Sequence, residues 1–429
     1  TFVTCSFIMG FQITGSFTVS HLQRVRSFTS VSSGSTLWTH SKGLVAGAKP
    51  RQLKAPPMAC LSSPRKKTII SAKPPKISPL QTAQPVPLLE STPRHLFVHD
   101  NFLEPEFADN LRGVFDSRFE TPRSNDVERF VWDYWHVPDQ YSLMRTPAEP
   151  FFGEEDYKRL CDALTDFGQR YLGCNSITQP WLSYYVDGCE QRMHSDSWHG
   201  PFAYVLSLTR WDQRKFTGGE TFILNLETLD YWRRFDPKKG LEESTMTTKV
   251  EPLFNRLTVF DPRLPHGVRT VHGSRDPREA RLVIHGWFTD LGTPFYTGTL
   301  SEDQATVALN EVLDPLYAEL GENCPRAMGV VNVRMHIRGS DGKVTAMESV
   351  ADTLVPDPDG LADTTPSEAR AAILEVMHRH LSTVRFPAVV DKKGKKKKAG
   401  ADAPSGGGSA EDALQGPGDS CLTIPFVFE

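Results

Sequence analysis

The sequence predicts an α+β protein: a jelly roll of short strands flanked by helices, followed by a small helix–hairpin–helix–strand module. Three observations carry this. From Trp181 onward, short runs rich in β-branched and aromatic residues alternate with turn signals, at 181–186, 191–196, 202–209, 220–226, 256–261, 266–271 and 281–288. Helical patterns precede them, at Glu104–Phe115 and Glu154–Leu172. After about Thr299 the pattern changes to a helix, two long strands, a second helix and a closing strand. Many short strands packed on helices are the signature of a double-sheet jelly roll.

Composition sets bounds. The chain has 429 residues, 39% apolar and 23% charged, with a formal net charge of −4, an ordinary globular balance. That charge gives no argument for a nucleic-acid partner. No apolar run reaches the roughly 18 residues a spanning helix needs, so no membrane span is expected. Cysteines at 5, 60, 161, 174, 189, 324 and 421 are scattered, lack any Cys-x-x-Cys, and read as free thiols.

Residues 1–92 stand apart. From Thr1 to Leu89 there is no Asp or Glu, while Arg24, Arg26, Lys42, Arg65, Lys66 and Lys67 are among the basic residues scattered through abundant Ser and Thr. Basic, hydroxyl-rich and acid-free sequence predicts a plastid or mitochondrial transit peptide with a disordered linker. A disordered basic arm on a cytoplasmic or nuclear protein is the alternative. Because position 1 is Thr, Met9 or Met58 is the expected start.

Folded sequence is expected from residue 93. Leu96-Phe97-Val98 reads as a strand. In the first helix Phe107, Leu111, Val114 and Phe115 share a face, with Pro105 near its start. The stretch 129–135 alternates like a strand. In the second helix Leu160, Leu164, Phe167 and Tyr171 share a face and Gly173 is the stop. Phe216-Thr217-Gly218-Gly219-Glu220-Thr221 is a tight connection into a strand, and Tyr231–Thr248 a polar surface insertion. The first domain ends near residue 298. In the module at 299–429, a helix at Ser301–Leu320 precedes strands at 328–337 and 344–350 around Asp341-Gly342. A helix at Ser367–Leu381 and a strand at 422–428 complete it. Lys392–Asp419 is Lys-rich, then Gly/Ser-rich, and reads as a flexible loop.

The chemistry centres on His194-Ser195-Asp196. In extended chain, residues two apart point to one face, so an imidazole and a carboxylate stand side by side. They are half of the two-His-one-carboxylate set that holds non-haem Fe(II). Three histidines could supply the third ligand. His266 opens a strand, His199 lies in a turn just after Asp196, and His272 lies just before the last strand of the jelly roll. On that strand Arg281, Val283, His285 and Trp287 share one face. An arginine on an apolar strand is costly to bury without an anion, and its fork matches a carboxylate.

The order of Tyr185-Val186-Asp187-Gly188, His194-Ser195-Asp196, Gly218-Gly219-Glu220, His266-Gly267-Val268 and Arg281–Phe288 resembles the prolyl-4-hydroxylase-like branch of the Fe(II)/2-oxoglutarate dioxygenases. The resemblance covers about Leu96–Asp290. It implies a double-stranded β-helix, with His194, Asp196 and His266 as iron ligands and Arg281 as the anchor of the 2-oxoglutarate cosubstrate. Arg stands where the family often has Lys. Tyr185 would hydrogen-bond the 2-oxoglutarate carboxylate and Trp287 would wall the pocket. His285 either lines that pocket or packs as a barrel histidine. Trp181, Tyr184 and Trp198 are assigned to core or rim. The activity implied is O₂-dependent hydroxylation of a C–H bond, in a prolyl or other residue of a protein or peptide. Succinate and CO₂ are released, and ascorbate is the expected reductant. Asp196 fills a metal position that the related halogenases leave open to halide.

Two other readings compete. The nucleic-acid demethylases of the AlkB type carry two arginines six apart, as Arg275 and Arg281 are. However, Arg281 begins its strand and position 287 is Trp. The module at 300–429, with Val384-Arg385-Phe386-Pro387 and Ile424-Pro425-Phe426-Val427-Phe428, weakly resembles the TonB-like C-terminal domain of myxobacterial gliding-motility proteins. That likeness implies partner docking, and a scaffold protein if the oxygenase fold is inactive.

Overall fold

The computed structural model describes residue 89 and residues 93–120, 132–138, 140–196, 198–229, 238, 243–361, 364–388 and 418–429. The transit-like segment, the start of the stretch at 129–135, most of the polar insertion and nearly all of Lys392–Asp419 lie outside them.

An antiparallel sheet of twelve strands curls around the first half of the described chain. Its main path runs through β1 (Leu96–His99), β10 (Arg256–Phe260), β7 (Phe202–Ser207), β12 (Arg281–Leu291), β5 (Trp181–Tyr185) and β3 (Tyr141–Pro147). It continues through β6 (Glu190–His194), β11 (His266–Val268), β8 (Thr221–Leu224) and β9 (Thr247–Val250). Off this path, β2 (Asp133–Val137) pairs with β3, and β4 (Cys174–Ile177) with β12. The curl depends on β3, which pairs along one part with β5 and, at Tyr141 and Ser142, with β6. It thereby joins the two halves of the jelly roll.

Alternation on β12 sorts the two faces. Leu282, Ile284 and Phe288 turn outward and are wholly buried, in one core with Phe107, Leu111 and Phe115 of α1 (Pro105–Ser117). Leu160, Leu164 and Phe167 of α3 (Glu154–Phe167) join the same core, behind the short α2 (Ala148–Phe152). Burying each such side chain stabilises the fold by about 1.5–3 kcal/mol. The helical pattern through Leu172 continues as a π turn over Gly168–Leu172. Gly173 then ends it with φ +70°, and a Cβ there would come within 2.6 Å of Pro425, so two constraints select glycine. One-turn helices α4 (Leu226–Leu229) and α5 (Glu243–Met246) flank the polar insertion.

The second sheet runs β13 (Phe295–Gly298), β17 (Ser420–Phe428), β14 (Ala327–Ile337), β15 (Val344–Asp352), with β16 (Val355–Pro356) also on β14. Helices α6 (Glu302–Asn323) and α7 (Pro366–Leu381) cover it through Leu309, Leu316, Ile373 and Met377, packed on Val333, Met335 and Ile424. Both helices start on capping boxes, Ser301 with Gln304 and Thr365 with Glu368. The helix–hairpin–helix–strand order is present, with two unpredicted additions: β16, and β13, which precedes residue 299 yet pairs with β17. All described residues fall in one unit. Within it, Asn332 donates to the Tyr171 carbonyl at 2.7 Å and Arg263 to the Thr353 carbonyl at 2.6 Å.

Candidate active site

His194 ends β6 and His266 opens β11, and the two are direct register partners in the antiparallel ladder. Their ring centroids lie 4.5 Å apart. Asp196, two residues past the end of β6, places Oδ2 3.5 Å from His194 Nε2 and 3.6 Å from His266 Nε2. One ligand atom from each of the three lies within 4.8 Å of the others, the spacing of donors around one ion. Each histidine turns Nδ1 to a backbone carbonyl, His194 to Arg192 at 2.7 Å and His266 to Leu264 at 2.9 Å. Nδ1–H donation to a carbonyl fixes the tautomer that leaves the Nε2 lone pair free for a metal. Gly267 makes this close pairing possible. A Cβ there would lie 2.5 Å from both the Gln191 carbonyl oxygen and the Phe222 ring, on the two strands that flank β11.

Electrostatics favour a cation at this point. Burial alone would raise the Asp196 carboxyl, but hydrogen bonding and charge from His194 and His266 outweigh it and hold the group well below the usual range. For His194, burial opposes the charged ring, and Asp196 with the Arg192 carbonyl more than reverses this.

The three residues open onto a cavity of about 480 Å³ that is also lined by Tyr185, Arg281, His285 and Trp287. Arg281 is 1% exposed. Its Nη2 donates to Thr221 Oγ1 at 3.1 Å, while Nε and Nη1 are buried with no hydrogen-bond partner. The guanidinium carbon lies 4.6 Å from the centre of the Tyr185 ring. Burial pushes the Tyr185 phenol up to about 12, with Arg281 pulling the other way, so it stays protonated. His285 Nε2 and Ser183 Oγ lie 2.8 Å apart, and burial, with Arg281 and Arg145 nearby, pushes its imidazole down to about 4. The geometry thus gathers all seven predicted residues around one cavity. Of the competing histidines, His199 stacks on Trp287 at 4.2 Å and lines the cavity outside the cluster, and His272 is exposed. Trp198 is exposed as well, at the surface.

Trp135, Tyr141 and Arg145 also line the cavity. Trp135 ends the strand-like stretch at 129–135, and no local pattern marked β3. The signal that could have found Arg145 is the one that marked Arg281, a cation on the inward face of an alternating strand.

Residues 180–289 match the model of the 2OG-Fe(II) oxygenase superfamily. This stretch contains all seven residues, and the chain carries a 2-oxoglutarate–Fe(II) oxygenase domain there. Both the spacing of the His194–Asp196–His266 donors and the two orphaned Arg281 donors fit the family's metal and cosubstrate. No curated protein matches the chain. Among solved structures, it is similar to a prolyl-4-hydroxylase from Pseudomonas putida, at 17% identity over 46% of this chain and 92% of that one, TM-score 0.32. It is also similar to a Trichoplax adhaerens prolyl hydroxylase solved with a hypoxia inducible factor oxygen degradation domain peptide, at 15% identity, 46% and 84% coverage, TM-score 0.33. A third is the viral collagen prolyl hydroxylase of Paramecium Bursaria Chlorella virus-1, at 13% identity, 45% and 95% coverage, TM-score 0.29.

Proposed function

We propose that this chain hydroxylates a C–H bond of a prolyl or other residue in a protein or peptide, converting 2-oxoglutarate and O₂ to succinate and CO₂. The observation that carries the cosubstrate assignment is Arg281, a buried guanidinium with two unpartnered donors on the same cavity as the His194–Asp196–His266 cluster. A buried charge without a partner is costly, and a dicarboxylate's distal end would supply that partner in bidentate form. In this reading His194 Nε2, His266 Nε2 and an Asp196 oxygen hold the iron. Iron(II) bound there supplies the activation of O₂, coupled to loss of CO₂ from 2-oxoglutarate.

The protein's own contribution is placement. Tyr185 lies against the guanidinium and contributes a protonated phenol to the cosubstrate end. His285, held by Ser183, stays neutral near pH 7 and so does not compete with the iron for negative charge. Asp196 occupies one metal position, which favours hydroxylation over halogen transfer. Ascorbate would be the reductant for iron held by His194, Asp196 and His266.

The test is spectroscopic. Anaerobic protein with Fe(II) and 2-oxoglutarate should show a weak charge-transfer band in the visible, absent in His194→Ala and lost in Arg281→Met. In air it should form succinate slowly even without substrate. If neither signal appears, the fold serves binding alone, with the module at 299–429 as the docking part. Deletion of the protein should remove a one-oxygen mass gain from its substrate.

A further inference from the structure

The cavity contains a second arginine that the oxygenase chemistry does not use. Arg145 lies on β3, where its register partner on β5 is Ser183, the residue that holds His285. Its guanidinium sits between two indoles, 3.5 Å from the ring centre of Trp135 and 4.2 Å from that of Trp181. Two aromatic plates fix the plane of the fork and leave its edge for hydrogen bonding. Nε is buried and has no hydrogen-bond partner. Burial works against its charge and outweighs the support from Tyr141 and Asp133. Asp133 stands across from it on β2, but is exposed and forms no ion pair with it.

Charge supplies the second argument. Asp196 is the sole carboxylate among the described residues that line the cavity. Iron(II) on the cluster, Asp196, doubly charged 2-oxoglutarate and Arg281 would sum to zero among the groups on the cavity wall, with Glu220 acting on Arg281 from outside it. Arg145 is then a cation on the cavity wall with no carboxylate beside it there, Asp133 acting on it only from the exposed side of β2. A substrate carboxylate would give the unpartnered Arg145 Nε a direct charged partner.

We propose that Arg145, clamped between Trp135 and Trp181, is a substrate-binding residue that grips a carboxylate, so the substrate is an acidic peptide. The carboxylate is either a free C-terminus or an acidic side chain. This rests on the oxygenase reading of the cavity, because the charge balance assumes iron and 2-oxoglutarate.

The experiment uses the full chain loaded with Mn(II), as a redox-inert substitute for iron, and 2-oxoglutarate. Tryptophan fluorescence reports binding of three probes. These are acetyl-Ala-Ala-Pro as the free acid, the same peptide as its amide, and acetyl-Glu-Ala-Pro amide. At least one acidic probe is expected to bind about tenfold or more tighter than the neutral amide, the scale of one charge-assisted pair. Which acid wins identifies the source of the carboxylate. The preference should vanish in Arg145→Gln while 2-oxoglutarate affinity holds within about twofold, which shows that the fold survives. Should Arg145→Gln lose 2-oxoglutarate binding, Arg145→Lys decides: it keeps the charge without the fork and should weaken the preference at least threefold. Equal binding of all three probes, binding of none, or an acid preference that survives the deciding variant overturns the proposal. Failure of the wild type to bind 2-oxoglutarate, seen before any peptide is added, overturns the oxygenase reading instead.

Discussion

His194 and His266 face each other across the β6–β11 ladder with ring centroids 4.5 Å apart, each anchored through Nδ1 to the carbonyl two residues before it. Neither ring needs to rotate to offer Nε2, so the site is preorganised. Replacing either with Ala should weaken Fe(II) binding by at least about tenfold to a hundredfold, the usual effect of losing support around a metal. Anaerobic titration followed by iron analysis would measure it. Saturating Fe(II) or Mn(II) should also raise the melting temperature, with about 2.7 kcal/mol of stabilisation at a hundred times Kd. That rise should disappear in Asp196→Ala.

Arg281→Met should separate stability from function. The guanidinium is 1% exposed and lacks partners for two of its nitrogens. Replacing it with an apolar side chain of similar length removes that penalty, and the variant should unfold at equal or higher denaturant, by about 1–3 kcal/mol. The same variant should bind 2-oxoglutarate at least about a hundredfold more weakly. A loss of stability without 2-oxoglutarate present would argue that Arg281 is structural.

Gly267→Ala should damage the metal site through the backbone. The added methyl meets the Gln191 carbonyl and the Phe222 ring on opposite sides, so β11 must move away from one neighbour. Overpacking of this kind costs about 1–3 kcal/mol. Because His266 is the adjacent residue, metal affinity should fall along with stability, read by urea unfolding and Mn(II) titration.

His285 gives a pH dependence with a definite sign. Burial holds its imidazole at about 4 in the folded chain, against 6.5 for a free side chain. The unfolded state therefore binds more protons between these values, so the stability contributed is complete above pH 6.5 and is lost as pH falls toward 4. The effect is on the order of 2 kcal/mol, because the residue keeps some exposure. Unfolding curves of apo protein at pH 7.5 and pH 5 should differ, and the difference should shrink in His285→Gln.

The second sheet reaches the site through Arg263. Its guanidinium pairs with buried Asp261 and donates to the Thr353 carbonyl, three residues from His266 along the chain. Arg263→Ala should cost about 1–3 kcal/mol, because buried Asp261 keeps only His95 and the backbone N–H of residue 263 and loses its charged partner. A smaller loss of metal affinity should accompany it. Unaltered unfolding would mean that Arg263 is passive.

Much of this was legible in local sequence. The period-2 patterns at 181–186, 202–209 and 281–288 located strands because one face of each is apolar and buried. The heptad-like spacing of Leu160, Leu164 and Phe167 located a helix for the same reason. His194-Ser195-Asp196 and Arg281 could be singled out because chemistry of that type on a strand is costly unless it serves a ligand. Short strands with weak alternation were missed, among them β4 and β13, because they are held by pairing with β12 and β17 rather than by their own pattern.

The sequence by itself determined which side chains share a strand face, since a period of two is a property of the extended chain. It could not determine which strands become neighbours, because pairing depends on contacts between segments far apart in sequence. Only the tertiary structure decided that His266 lies opposite His194, from among three histidines that local spacing alone left open. Only it placed Arg145 between Trp135 and Trp181, three residues from three strands whose meeting no local pattern records.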